Sequence, residues 1–538
     1  MSNSNHNGPL RTTFLAIRKL AKPRANRFVA DNRPVAPRLA QYRYVRLRWR
    51  LLCWMFDRVG YALGRTVRRL VPSWETVRSG ADSSAKDDSI AGDAAAIRSI
   101  LVVQMDHLGD AILSTGWLNQ LRRTYPRAEI DILATPWNRA IFREAGPWRR
   151  VFTSRRNRFA REARRWLWPV SVIWWGSRLR SRRYDLAFDV RGDLSVALLM
   201  WLCGARRRVG FAAAGGGFLL TASAESVFGR AEVLSRKALF EAARPQSGRQ
   251  AITPLRVAIH RAAVSLSAAV NHRSVARESS NAQLAIARHD SNIRRRHEAN
   301  GETTSDESRW YPRIEPGERA LRKMANRLQD LRRPGCPLVV LHVGAGTSAK
   351  RWPIVHWREL LGRLIVQRDA TVVLVGDAGD RALVRRITRS RAWPHVVDWT
   401  GQLRIGQLAA LLQQCDCFVG ADSGPAHLAA AVGSRAVVLF SGTVPASQWR
   451  PRGDRIQLLQ HAVACSPCLL KTCPLADHPC MQGVLPEAVM RHIDRLWYDS
   501  FAPSDGKPAG KAGSRQRGVT RLSENRSELS DLSERSST

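Results

Sequence analysis

Lysine is scarce in this chain. Only nine of its 86 basic residues are Lys, the rest being Arg, and they face just 45 Asp and Glu, for a net charge of +41. Long apolar runs are missing as well. No stretch approaches the ~18 consecutive apolar residues of a membrane-crossing helix, which excludes a polytopic membrane protein. The nearest, WLWPVSVIWWG at 166–176, is short and holds Pro169. The N-terminus lacks an apolar signal core and a small-residue cleavage site, and the nine Cys are odd in number. Both lead to the expectation of a reducing, cytoplasmic setting without a disulfide framework.

What is present is the composition of a folded protein. With 538 residues, 44% of them hydrophobic and 24% charged, the chain has room for two to four domains. That balance excludes a wholly disordered or collagen-like chain. An Arg surplus of this size calls for anionic partners: nucleic acid, phospholipid headgroups or phosphorylated substrates.

Residues 1–95 read as a basic N-terminal extension. From Met1 to Pro72 there are 16 Lys and Arg against two Asp and Glu, a local net of 16 − 2 = +14. Tyr42–Val71 mixes Trp49, Leu51, Leu52, Trp54, Met55, Phe56, Tyr61 and Leu63 with Arg. That is the composition of an amphipathic helix at a membrane interface, or of a helix docked on the protein's own surface. Val77–Asp93 has the Ser, Gly and Asp content of a linker. Residues 96–230 alternate buried strands with helices: SILVVQM at 99–105, EIDILAT at 129–135 and YDLAFDV at 184–190 are the strands. Periodicity fails over 231–308, which reads as an insertion or mobile linker. Residues 309–500 form a second alternating block, with strands PLVVLHV, ATVVLV and AVVLF. The polar, Ser- and Arg-rich 501–538 reads as a disordered tail. The expected fold class is therefore α/β, with two Rossmann-like units.

Three loops lie where open α/β sheets bind ligands, just past the ends of strands. Asp106, His107, Gly109 and Asp110 follow the first strand. Asp110 stands at a loop–helix junction, as a general base or as an N-cap. Gly344 and Gly346 follow PLVVLHV, with Lys350 and Arg351 beyond. Small residues there admit backbone N–H groups to a phosphate, or simply make a turn. Asp422, Ser423 and Gly424 precede Pro425 at a helix start, with His427 one turn on. The freed N–H groups and the dipole make an anion site, although Asp422 or Ser423 can also serve only as a cap.

Together these segments resemble glycosyltransferase family 9, the lipopolysaccharide ADP-heptosyltransferases. The residues that carry the resemblance are ILVVQMDHLGDAILSTGWLNQLRRTYP (100–126), VGAGTSAKRWPIVHW (343–357), DWTGQLRIGQLAALLQQCDCFVGADSGPAHLAAAVG (398–433), SPCLLKTCP and HPCM (466–481). The resemblance implies a GT-B architecture, with two Rossmann-like domains facing across a cleft and a final helix crossing back. It implies an inverting, metal-independent transfer from an ADP-sugar to an anionic glycolipid or lipopolysaccharide core, on the inner face of the cytoplasmic membrane. It makes Asp110 the general base, with Asp106, His107 and Gly109 on the acceptor side. It places Lys350 on the phosphates. Asp422, Ser423, Gly424 and His427 hold the diphosphate and sugar, with Thr347 on phosphate or ribose and Asp380 near the acidic ribose position. No Asp-x-Asp motif is present, in keeping with a cofactor-free reaction. Gln104 departs from the Arg or Lys common in the family, which opens the identity of the donor sugar.

Two features stand outside the resemblance's core. Cys465, Cys468, Cys473 and Cys480 have spacing C-x2-C-x4-C-x6-C, open to a structural Zn site or to a turn-rich excursion. Arg149–Arg183 holds 12 Arg and one Glu, interleaved with Trp166, Trp168, Trp174 and Trp175. That composition fits a membrane surface or an anionic acceptor, and nucleic acid less well. The alternatives at this point are a nucleic-acid-binding protein on a Rossmann scaffold and a GT-B sugar-nucleotide epimerase.

Overall fold

In the computed structural model, the described residues are 51, 53–55, 57–63, 96–155, 168–212, 215–224, 231–244, 307–389 and 393–498. The rest of the extension, most of the insertion, Trp166 and the 501–538 tail lie outside them. The described residues from 51 to 496 belong to one compact unit.

The first lobe is a six-stranded sheet in the order β3-β2-β1-β4-β5-β6. Its strands are β1 (Ser99–Gln104), β2 (Glu129–Ala134), β3 (Arg150–Thr153), β4 (Leu186–Asp189), β5 (Arg207–Gly210) and β6 (Ala222–Ser223). All pairs are parallel, with Val102 opposite Ile132 on one side and Phe188 on the other. The apolar runs read from the sequence are the central strands, buried on both faces as parallel sheets require. The second lobe repeats the plan in the order β12-β11-β10-β7-β8-β9. Its strands are β7 (Leu338–His342), β8 (Thr371–Val375), β9 (Val396–Asp398), β10 (Cys417–Ala421), β11 (Ala436–Phe440) and β12 (Ile456–Gln460). Counted from each lobe's first strand, both sheets run 3-2-1-4-5-6, so the crossover direction reverses between β1 and β4 and between β7 and β10. Ligands bind at such switch points, beyond the strands' carboxyl ends.

Helices α1 (Leu108–Thr124), α2 (Arg139–Glu144), α3 (Trp168–Arg180), α4 (Leu194–Leu202) and α5 (Glu232–Ala243) belong to the first lobe. Helix α1 is buried almost all round from Ala111 to Leu118. It lies between its own sheet, α5 and a helix of the second lobe, so the amphipathic pattern of a surface helix is absent. Its first turn carries Asp110 and its last Arg122 and Arg123, each at the favourable end of the dipole. Helices α3 and α4 cover the opposite face of the sheet, through Val172, Trp175, Leu179, Val196 and Met200.

The second lobe adds α6 (Glu318–Gln329), α7 (Ile354–Arg368), α8 (Arg381–Thr388), α9 (Ile405–Gln414), α10 (Gly424–Ala431), α11 (Ala446–Trp449), α12 (Pro479–Gln482) and α13 (Pro486–Tyr498). One apolar cluster is continuous from Ile100, Trp117 and Phe188 to Leu428, Phe418 and Phe440, so the lobes share a core. The chain at 307–315 threads this junction. Ile314 N–H donates to Ala431 O at 3.0 Å, and Arg313 N–H donates to Thr115 Oγ1 at 3.1 Å.

Two regions differ from the expectation. Residues 232–243, read as part of the 231–308 insertion, form α5 and pack Val233, Leu239, Phe240 and Ala243 into the core. Polar letters hid this helix because its buried charges, Glu232 and Arg236, satisfy one another. Within the 1–95 extension, the described part of 51–63 is helical and docks on the first lobe. There Asp57 Oδ1 accepts from Gly216 N–H at 2.7 Å. The short strands β3, β5, β6, β9 and β12 lacked a continuous apolar run and were not anticipated.

The tightest approach to α1 is at Gly116, where an added Cβ would lie 2.2 Å from Trp310 O. Gly116→Ala therefore lowers unfolding free energy by about 1–3 kcal/mol through overpacking, despite alanine's better helix propensity. Denaturant midpoints read against Gly346→Ala, whose surroundings are open, check this.

Candidate active site

The site is assembled from the ends of the switch-point strands. After β1 the chain turns through Asp106 and His107 into α1. After β4 it turns through Arg191, where Asp189 accepts backbone N–H bonds from Arg191, Gly192 and Asp193 at 3.2, 2.8 and 2.7 Å. In the second lobe, β7 leads to Gly344 and a 3-10 turn at Ser348–Lys350, and β10 leads through Asp422 and Ser423 into α10.

The two N-terminal turns touch. A Cβ on Gly109 would lie 3.1 Å from His427 Cδ2, and one on Gly424 would lie 2.8 Å from Leu108 Cδ2. The glycines let α1 and α10 approach to near backbone contact. Asp110, Ser423 and His427, predicted from separate parts of the sequence, are thereby brought to one junction.

On the first-lobe side, Asp110 is not a side-chain cap, because the N-cap His107 makes no capping bond and Asp110 lies inside the first turn. His107 Nδ1 is 3.6 Å from Asp110 Oδ2, and Arg236 NH2 is 4.0 Å from Asp110 Oδ1. Burial pushes the Asp110 carboxyl up, but the His107 hydrogen bond and the charges of Arg236 and Arg191 outweigh it, so it is held below the usual carboxylate range. Asp106 behaves oppositely. It is buried, accepts from Gln104 Nε2 at 2.7 Å, and leaves Oδ1 without a hydrogen-bond partner. Burial and the neighbouring Asp110 charge raise its carboxyl. Two carboxylates in one buried pocket are thus driven apart: Asp106 is pushed up to about 7, while Asp110 is held low. Asp106 is built in, its backbone O bonded by Trp137 Nε1 at 2.9 Å and Asn138 Nδ2 at 3.0 Å.

Arg236 was not among the residues read from the sequence. It reaches Ser114 Oγ through Nε at 3.3 Å and pairs through NH1 with Glu232. Glu232 in turn accepts from Gln448 Nε2 of the second lobe at 2.9 Å. A polar chain therefore runs from α11 through α5 to Asp110. Only a Glu/Arg pair at i, i+4 was visible in the sequence.

On the second-lobe side, Lys350 Nζ lies 2.5 Å from Asp422 Oδ2, and His427 Nε2 lies 3.7 Å from Asp422 Oδ1. Burial raises the Asp422 carboxyl, but the His427 hydrogen bond and the Lys350 charge prevail and keep it ionised. Ser423 is the N-cap of α10 in extended conformation, with Pro425 in the first turn. Ser423 Oγ donates to Ala421 O at 3.0 Å and meets His342 Nδ1 at 3.3 Å. His342 Nε2 is 3.7 Å from Asp380 Oδ2. His342 also escaped the sequence reading; its signal was a polar residue closing an apolar strand. Asp380 is packed beneath Gly344 and Gly376, where a Cβ would come within 2.3 and 2.7 Å of its carboxylate. Thr347 Oγ1 and His427 Nδ1 are buried without hydrogen-bond partners. Gly346 stands apart, with nothing near its Cβ position.

The four cysteines do not form the ligand set considered from their spacing. Among the described residues, no three His, Cys, Asp or Glu side chains are placed to hold a metal ion. The thiols are free, and burial together with their mutual proximity raises Cys465 and Cys480.

Two doubly wound lobes meeting at their switch points make the GT-B architecture, as in E. coli ADP-heptose lipopolysaccharide heptosyltransferase II. That structure superposes with a TM-score of 0.53 at 18% identity, over 75% of this chain and 100% of the other. The family 9 glycosyl transferase of Veillonella parvula matches with a TM-score of 0.53 at 14% identity, over 75% and 98%. Residues 302–478 match the family model of glycosyltransferase family 9 (heptosyltransferase). Lipooligosaccharide heptosyltransferase 2 of Campylobacter jejuni is 30% identical over 173 residues, 31% of this chain and 53% of the relative. Lipopolysaccharide heptosyltransferase 3 of E. coli K12 is 36% identical over 120 residues, 22% and 34% respectively. The chain thus spans about half the length of the first of these relatives and a third of the second.

Asp106 supplies a prediction that needs no substrate. Its carboxyl is raised in the folded state, so ionising it costs folding free energy, and the cost appears as pH climbs from the unfolded value through the folded one. Asp106→Asn removes that cost. Its thermal midpoint exceeds the parent's by several degrees at pH 8, and the gap closes towards pH 4 in a pH series of thermal melts.

Proposed function

We propose that this chain is an inverting glycosyltransferase that moves a heptose or related sugar from an ADP-sugar to an anionic glycolipid of the lipopolysaccharide-core type, at the inner face of the cytoplasmic membrane. The observation that carries the reading is the junction of α1 and α10. It puts an ionised, partly shielded carboxylate, Asp110, beside a cationic, N–H-rich loop on the facing lobe. The names of the relatives, lipooligosaccharide and lipopolysaccharide heptosyltransferases, support the sugar and acceptor class.

In this mechanism Asp110 accepts the proton of the acceptor hydroxyl as its oxygen attacks the anomeric carbon. The bond to the diphosphate breaks on the opposite side of the sugar, so the configuration inverts. Charge developing on the departing ADP is met by the backbone N–H groups of Ser423 and Gly424 at the start of α10 and by Lys350, which Asp422 holds in place. Thr347 Oγ1 and His427 Nδ1, buried and unpaired, are available to donor oxygens. Protein cations thereby fill the role a divalent ion plays in other sugar-nucleotide enzymes, and transfer is expected to persist in chelator. Arg236 and His107 keep Asp110 ionised without touching the sugar.

Asp110→Asn is expected to cut turnover about 10²–10⁴-fold while ADP affinity, read by calorimetry, stays within about twofold. Lys350→Ala instead weakens ADP about tenfold or more. Turnover retained in the first variant, together with unchanged ADP affinity in the second, overturns the assignment. A separate expectation concerns pH. Without the Arg236 charge the Asp110 carboxyl rises, so Arg236→Met moves the acidic limb of the kcat/KM profile to higher pH. An unmoved limb removes Arg236 from this role.

A further inference from the structure

The helical segment 51–63 has two apolar faces. At about 100° per residue, Cys53, Asp57, Gly60 and Tyr61 point one way, and Leu51, Met55, Val59 and Leu63 point the other. The first set is the docked side. Asp57 is fully buried on Gly216 N–H, a Cβ on Gly215 would meet Cys53 Sγ at 3.2 Å, and Gly60 faces Phe218. The second set is turned to solvent, with exposures of 40, 58, 59 and 61%. Aliphatic side chains at four-residue intervals are a cost in water unless something covers them.

A second element repeats the arrangement. Helix α3 buries Ser171, Val172, Trp175 and Leu179, and exposes Val170, Ile173 and Trp174 by 54, 58 and 53%. The two belong to one helical layer. Helices α3 and α4 share a face of the first sheet. Segment 51–63 rests on the 215–218 loop, which itself packs on Leu194 and Ala197 of α4. The layer lies on the side of the sheet away from α1 and α5.

Charge identifies what covers it. Arg58 stands over the Trp54 ring at 5.3 Å, and Arg178 over the Trp174 ring at 5.4 Å. Both place a guanidinium at the border of an apolar patch, where a phosphate would lie when the aliphatic chains are in the acyl boundary. In sequence, Arg43, Arg46, Arg48 and Arg50 precede the segment and Arg65, Arg68 and Arg69 follow it. From Asn32 to Trp74 the only acidic residue is Asp57, and that one is buried inward. Arg58 and Arg178 beside the aliphatic stripes, in segments whose sequence carries no acidic residue but Asp57, match anionic lipid headgroups over hydrocarbon.

We infer that this layer is a membrane-docking face, in which Leu51, Met55, Val59 and Leu63 together with Val170, Ile173 and Trp174 enter the interface of an anionic bilayer while Arg58 and Arg178 engage its phosphates. The inference deepens the reading above, because it names the surface on which a lipid-linked acceptor would be met. Nothing in the face touches the α1–α10 junction.

The test is flotation of the full chain with vesicles of phosphatidylcholine alone and with about a third phosphatidylglycerol. The parent is expected to float with the anionic vesicles and far less with the neutral ones. Met55→Glu/Val59→Glu and Ile173→Glu/Trp174→Glu are each expected to lower the bound fraction about tenfold. Their thermal midpoints and ADP affinity should match the parent, because the substituted side chains face solvent. Failure of the parent to float with either vesicle overturns the inference, as does flotation of both double variants at parental levels. ADP binding and transfer are read on the same preparations without vesicles, so a missing activity with intact flotation counts against the functional reading alone.

Discussion

Helices α1 and α10 touch through their first turns, where glycine stands in place of a side chain on each: Gly109 against His427 and Gly424 against Leu108. The contact brings the positive ends of two helix dipoles together, an arrangement that repels unless negative charge lies nearby. Asp110 and Asp422, both held ionised, sit at this junction. They are balanced in turn by Arg236 and Lys350. Each of these carboxylates thus has a cation beside it in the free protein.

The same constraint explains the division between the two carboxylates of the first lobe. Arg191 and Arg236 draw the Asp106 carboxyl down, but burial and the neighbouring Asp110 charge prevail and raise it. Gln104 donates to one of its oxygens. The Glu232–Arg236 pair brings compensating charge from a different helix and is anchored to the second lobe by Gln448. Asp110 is consequently positioned by residues from both lobes.

The first sheet separates two kinds of surface. One face packs α1 and α5, and through them the second lobe, into a common core. The other carries α3, α4 and the docked 51–63 segment, with Trp, Arg and aliphatic residues turned outward. The outward-facing Trp, Arg and aliphatic residues and the α1–α10 junction therefore lie on different sides of the first sheet.

Much of this was legible before any coordinates. Continuous apolar runs such as SILVV and LVVLH can only be central parallel strands, and a polar loop after each marks a ligand edge, so the two-lobed α/β plan and the loops at Asp110, Lys350 and Ser423 followed from local pattern. Helix α5 was not legible, because its charges looked solvent-facing until Arg236 and Glu232 were seen to pair inside. His342 and Gln448 were hidden for the same reason: each acts only through residues distant in sequence, Ser423 and Asp380 for one and Glu232 for the other. Periodicity reports how a segment relates to its own sheet or helix. Which charges end up facing each other across two lobes depends on the packing of α1 on α10, and only the tertiary structure decides that.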